Sequence, residues 1–209
     1  MIRSILFATS NEAKVEQFQY VADSYKFNIK IVPAKRIFGA LVKYDEIGDS
    51  PKEITKQGAE VIFNKIKRPI ITESSLLFIS PLKNFPGVES GEFLSKKGRK
   101  GILNMLNGVS SRKARIESAI TYINEEGVAK TFNNIVKGDI TKEEKWKKGP
   151  TWVSPSEHPL GGGYNAIFKP EGSRFTLAEM TASQLLKKGY REPNFLRVLK
   201  ILDNEEETE

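Results

Sequence analysis

A single carboxylate among small hydroxyls, Thr72-Glu73-Ser74-Ser75, interrupts an apolar stretch that spans residues 69–88. Ile70 and Ile71 precede it, Leu76 to Ile79 follow, and Phe85-Pro86-Gly87 comes next. The pattern predicts a buried strand, a polar loop at its C-terminal end, a second strand and a tight turn. Ligands of open α/β sheets bind beyond the C-terminal ends of strands, so Glu73 is placed for acid–base or metal chemistry. The alternative is a solvated turn with an incidental acid.

A second candidate lies near the N-terminus, where Asn11 and Lys14 follow a strand-like run at the start of a helical pattern. A lysine there reaches phosphate oxygens as a point charge, and Asn11 with the open N–H groups of a helix start adds donors. The alternative is a helix cap beside an ordinary surface lysine. Gly161-Gly162-Gly163 lacks the Lys-Ser/Thr and the helix start of a phosphate loop, and reads as a flexible loop. Trp146 and Trp152 stand among Lys142, Lys145, Lys147 and Lys148. That interleaving fits single-stranded nucleic acid or a solvated hairpin end with one aromatic tucked under it.

The elements that would position these residues begin with a strand at 4–9, a helix at 12–25 and a strand at 28–33. Val15, Phe18, Val21 and Ala22 recur at helical spacing, and the strand–helix–strand order points to an α/β fold. A loop over 43–47 follows. Ser50, Pro51 and Glu53 form a capping box with a first-turn proline, opening a helix that ends near Arg68-Pro69. Residues 91–100 read as a basic loop or short helix, and 101–106 as a short helix. Residues 114–122 and 129–136 predict a long hairpin, 138–141 a third strand, 142–160 irregular chain, and 160–168 a loop running into a strand. Helices are expected at 181–188, closed by Gly189, and at 193–202.

The chain has 209 residues, no cysteine and one histidine, His158. Disulfides and thiolate metal sites are excluded, and a histidine metal cluster is disfavoured. No apolar run approaches a membrane span and the N-terminus does not resemble a signal peptide, so a cytoplasmic protein is expected. The net charge is +7; residues 203–209 carry five acids and no base, leaving +12 on residues 1–202. A basic body suits nucleotides or nucleic acid, or simply keeps the surface soluble. A single domain over 1–202 with an acidic tail at 203–209 is the expected organisation.

Read in order, the motifs resemble those of the inosine-triphosphate pyrophosphatase family, almost end to end. Its opening Thr/Ser-x-Asn-x-x-Lys is matched by Thr9-Ser10-Asn11-Glu12-Ala13-Lys14, and its loop glutamate by Glu46. Its Asp-Asp-Ser-Gly-Leu and Phe-Pro-Gly-Val fall on Glu73-Ser74-Ser75-Leu76-Leu77 and Phe85-Pro86-Gly87-Val88. Its Gly-Phe-Gly-Tyr-Asp-Pro-Ile-Phe falls on Gly161-Gly162-Gly163-Tyr164-Asn165-Ala166-Ile167-Phe168, and its Ala-Glu-Met on Ala178-Glu179-Met180. The resemblance implies an elongated mixed β-sheet flanked by helices, two lobes around a central cleft, and a homodimer. It implies Mg²⁺-dependent hydrolysis of a deaminated purine nucleoside triphosphate to the monophosphate and pyrophosphate. It assigns Glu73 and Ser74 to the catalytic acid pair, Glu46 and Glu73 to the metal, and Thr9, Asn11, Lys14, Asn165, Tyr190 and Arg191 to the substrate.

Several of those positions depart from the family's pattern. Ser74 stands where the family has the acid thought to activate water, and an alcohol takes no proton near neutral pH. Gly162 replaces a base-stacking Phe, Asn165 an Asp, Leu185 a Lys and Tyr190 a His; Arg191 is kept. Two readings follow: a divergent nucleoside-triphosphate pyrophosphatase, or a catalytically inactive homologue that binds a nucleotide, RNA or a protein.

Overall fold

The computed structural model of the chain describes residues 3–157 and 160–206. His158 and the last three tail residues lie outside them. The elements in chain order are β1 (Arg3–Phe7), α1 (Glu12–Ser24), β2 (Ile29–Pro33), α2 (Ala34–Phe38), α3 (Pro51–Ile66), β3 (Ile70–Ile79), β4 (Phe85–Gly87), α4 (Ser90–Met105), β5 (Lys113–Ile123), β6 (Ala129–Ile140), β7 (Phe168–Pro170), α5 (Ala182–Lys188) and α6 (Glu192–Glu206). The strands form one mixed sheet in the order β2-β1-β3-β5-β6-β7, with β4 on β3. The expected α/β class, a mixed sheet flanked by helices, is what the chain adopts.

The chain divides into two compact units, one built from residues up to Ser74, residues 118–134 and Arg191 onward, the other from Ser75–Glu117 and Ile135–Tyr190. In the first unit β1 pairs in parallel with β2, Ile5 opposite Ile31, and with β3, Leu6 opposite Ile70. The predicted apolar face of α1 is buried through Phe18, Val21 and Ala22. Phe18 stacks on Phe195 of α6 (centroids 4.1 Å apart), and Phe7 meets Phe18 edge-on at 5.6 Å. Such aromatic pairs each add about 0.5–1.5 kcal/mol beyond area burial, and this trio fastens α1 and α6 to one face of the sheet. The other face carries α3: Ala59 and Ile62 pack with Ala8, Ile70 and Ile123.

α3 begins as its sequence predicts. Ser50 Oγ accepts from Glu53 N at 3.3 Å, although the Glu53 side chain accepts from Asp49 N at 2.8 Å rather than from Ser50. The helix closes on Lys67 in the left-handed conformation.

In the second unit β4 runs antiparallel to β3, Leu77 opposite Gly87, and β7 antiparallel to β6. The two pieces expected at 91–106 are joined into α4 through a kink at Gly98, whose φ of +62° suits a glycine. The third strand expected at 138–141 is instead the end of β6. The irregular stretch after it holds together by Arg99, which bonds Glu144 at 2.9 Å and the carbonyls of Gly161 and Gly163 at 3.2 and 2.8 Å. α6 runs past the expected end at Leu202 to Glu206, because no proline or glycine stops it.

Candidate active site

Thr72, Glu73, Ser74 and Ser75 are not a loop. They lie inside β3, which is unbroken from Ile70 to Ile79 and buried along nearly all of its length. The pattern misleads because polar residues in a buried strand resemble a break when their partners are distant in sequence. Thr72 Oγ1 donates to Thr55 O of α3 at 2.7 Å. The Glu73 side chain is wholly buried. Its Oε1 accepts from Ser118 Oγ and from Arg191 Nε, each at 3.1 Å. Its Oε2 lies 2.8 Å from Lys14 Nζ, an ionic contact rather than an aligned hydrogen bond. Lys14 Nζ also donates to the Glu73 carbonyl at 3.3 Å.

Three stretches far apart in sequence thus meet at one carboxylate. A buried carboxylate requires such partners, and removing one member of a buried pair costs about 3–5 kcal/mol. The cations themselves remain open to solvent, Lys14 at 19 % and Arg191 at 13 % side-chain exposure. Thr9 and Asn11 set the turn that delivers Lys14: Thr9 Oγ1 accepts from Asn11 N at 3.1 Å, and Asn11 Oδ1 caps α1 by accepting from Ala13 N at 3.1 Å. The cap reading of Asn11 and the phosphate reading of Lys14 are compatible.

Strand alternation separates Glu73 from Ser74. Successive residues point to opposite faces. Ile70 packs on the α3 side and Thr72 bonds α3, whereas Glu73 meets Lys14 and Arg191 beside α1 and α6. Ser74 therefore shares the α3 side, opposite to Glu73. The expectation of a polar loop here is corrected: Glu73 and Ser74 lie inside a buried strand.

Glu46 is exposed in the chain between Val42 and Ser50. Tyr44, half-buried beside it, packs flat on α3 at Gly58, where an added Cβ would lie 2.3 Å from the Tyr44 ring. Burial first, then the charges of Glu46 and Glu73, push the Tyr44 hydroxyl well above its usual range. Among the described residues no group of three or more His, Cys, Asp or Glu forms a metal cluster. The donor chemistry fits a hard cation that arrives with its phosphates, since Mg²⁺ commonly takes one or two carboxylates and completes its shell with water and substrate oxygens. Of the two carboxylates expected to hold the metal, Glu46 is exposed and Glu73 already has two cations.

The remaining predicted residues lie in the second unit. Asn165 is buried, its Nδ2 donating to the carbonyls of Trp152 and Val153 at 3.2 and 3.1 Å, and its Oδ1 has no hydrogen-bond partner among the described residues. Tyr190 is buried rather than displayed for stacking, and Leu185 is a buried residue of α5. Gly162 has φ +64°, and a Cβ there would stand 2.6 Å from the Ser154 carbonyl carbon, so the backbone itself excludes the aromatic found in the family's pattern. Trp152 is buried and Trp146 is 50 % exposed, while Lys147 Nζ sits 5.6 Å from the Phe175 ring centre. Sequence reasoning missed Ser118, Gln17, Glu192 and Asn194, all polar and buried. Only their polarity within apolar-patterned elements signalled them.

The family model described as the Ham1 family matches residues 5–192. The chain belongs to the Ham1 family. A dITP/XTP pyrophosphatase of Saccharolobus solfataricus is 30% identical over 202 residues, covering 96% of this chain and 94% of that protein. One from Pyrococcus horikoshii is 33% identical over 181 residues, covering 86% of each chain. The solved Ham1 protein of Staphylococcus aureus superposes with a TM-score of 0.76 at 18% identity, covering 97% of this chain and all of that one. A HAM1 protein from Coxiella burnetii does so with a TM-score of 0.76 at 21% identity, covering 97% and 99%. The family resemblance read from the motifs and the mixed β-sheet flanked by helices that it implied are both borne out. Ham1-family proteins generally depend on a metal ion. Among the described residues no helix is long and apolar enough to cross a membrane.

Proposed function

We propose that this Ham1-family chain is a nucleoside-triphosphate pyrophosphatase. Water cleaves the α–β phosphoanhydride of a deaminated purine nucleoside triphosphate, such as ITP, dITP or XTP, giving the monophosphate and pyrophosphate. The observation that carries the reading is the cation pair Lys14 and Arg191, partly exposed and held on the buried Glu73 carboxylate at the opening of α1. On binding, the triphosphate takes over these cations, with Thr9 and Asn11 holding the turn that presents Lys14.

Mg²⁺ is the metal of this reading, with Glu46 as its protein ligand and Glu73 joining only by releasing Lys14. When bound, the ion neutralises phosphate charge and polarises the reacting phosphoryl group. Ser74 supplies no base, so turnover is slow. The protein acts in the cytoplasm as a homodimer, and residues 142–148 offer a basic surface for nucleic acid.

The test is pyrophosphate release from ITP, XTP, dUTP and ATP with Mg²⁺. Turnover of ITP or XTP well above that of a Lys14→Ala/Glu46→Ala double variant supports the reading. Rates equal to the double variant overturn it, and nucleotide binding without turnover would then mark an inactive homologue.

A further inference from the structure

Arg191 is held by a second buried arrangement that the chemistry above does not use. Gln17, on α1 one turn beyond Lys14, and Glu192, the first residue of α6, are both buried. Gln17 Nε2 donates to Glu192 Oε1 at 2.8 Å, and Gln17 Oε1 accepts from Arg191 Nη1 at 3.3 Å. Arg191 Nε donates to Glu73 on its other edge. A guanidinium is a rigid planar fork, so two bonds from different nitrogens to groups on different elements fix its plane.

The amide has a direction. Its NH₂ faces the Glu192 carboxyl, which leaves its oxygen toward the guanidinium; turned over, it would set N–H against N–H. Around this point α6 is fastened twice more. Asn194 Nδ2 donates to Ser118 O at 2.9 Å, and Phe195 stacks on Phe18, the neighbour of Gln17. Burial pushes the Glu192 carboxyl above its ordinary range.

We propose that Gln17 is a positioning residue for Arg191, its amide oriented by Glu192 so that the guanidinium plane is set for phosphate. The inference rests on the assignment of Arg191 to the triphosphate. Gln17→Met preserves volume and removes both bonds, Glu192→Gln keeps an acceptor for the amide, and Glu192→Leu removes that acceptor without touching α1.

Two measurements test it: the exchange rate of the Arg191 Nε–H by NMR, assigned by its loss in Arg191→Lys, and the affinity for inorganic tripolyphosphate by calorimetry. In Gln17→Met the Nε–H is expected to exchange about tenfold faster, tripolyphosphate to bind about tenfold more weakly, and KM for ITP to rise with kcat nearly constant. Glu192→Leu should follow and Glu192→Gln should stay near wild type. A wild-type Nε–H and wild-type affinity in both Gln17→Met and Glu192→Leu overturn the proposal. A Glu192→Gln variant as impaired as Gln17→Met overturns the orienting role of Glu192. Wild-type affinity in Arg191→Gln, which removes the charge, overturns the phosphate assignment itself, a different failure that is read without reference to Gln17.

Discussion

Ser74 and Glu73 show how one strand divides two kinds of chemistry. Glu73 faces the cations and Ser74 faces the side of α3, against which Tyr44 packs. Replacing Ser74 by Asp puts an acid where the family's pattern has one. We predict that kcat for ITP rises by ~10²–10⁴, the usual worth of a general base. The position is buried, so thermal stability should fall, by about 1–3 kcal/mol for an imperfectly paired polar group; both are read from steady-state kinetics and a melting curve. Gly162→Phe should not restore base stacking. Its Cβ would run into the Ser154 backbone, so a lowered melting point without tighter ITP binding is expected.

Glu192 gives a pH prediction whose sign follows from burial. Its carboxyl is raised above the ordinary 4.5, chiefly by desolvation and against the pull of Gln17 and Arg191. Below about 4.5 it is protonated in both folded and unfolded chains. Above that, the unfolded chain releases a proton that the folded chain keeps, so stability declines until the raised folded value is passed and is flat beyond it. Glu192→Gln does not titrate at this position. Denaturant midpoints should therefore show the variant gaining on wild type as pH rises from 4.5, and a constant difference would refute this.

At the scale of elements, α3 is the support for the carboxylate side of the site. Its Gly58 admits the Tyr44 ring, and its Thr55 joins β3 to β5. Thr55 O accepts from Thr72, and Thr55 Oγ1 accepts from Thr121 at 3.1 Å. Gly58→Ala would place a methyl 2.3 Å from the Tyr44 ring and displace it, with the segment that carries Glu46. Overpacking of this kind costs about 1–3 kcal/mol. The expected result is a lower melting point together with a higher Mg²⁺ requirement for ITP hydrolysis, while tripolyphosphate binding measured without metal, which uses Lys14 and Arg191, stays within about twofold.

For the whole molecule, the charge sets long-range behaviour. Residues 1–202 carry +12 against five acids in the tail, so polyanions are attracted over roughly a Debye length and salt weakens that attraction. The affinity of single-stranded RNA should fall linearly with salt on a logarithmic plot. Charge reversal at Lys147 and Lys148 with Trp146→Ala should flatten the slope and weaken binding. Affinity indifferent to both would exclude that surface.

The motif order carried the kinship because it survives in local sequence: a strand followed by Thr9-Ser10-Asn11 and Lys14, Phe-Pro-Gly-Val at 85–88, Ala-Glu-Met at 178–180. The apolar spacing of α1 and the Ser50-Pro51 start of α3 were legible for the same reason, since helix caps and periodicity are short-range properties. What the sequence could not determine was the state of Glu73. Its partners Lys14, Ser118 and Arg191 are 59, 45 and 118 residues away, and only the folded sheet brings them within about 3 Å. Whether Thr72-Glu73-Ser74-Ser75 is a solvated loop or a buried strand depends on whether such partners arrive, because a polar group leaves water only when they replace it. The tertiary structure decided for the strand, and with it the division of Glu73 from Ser74.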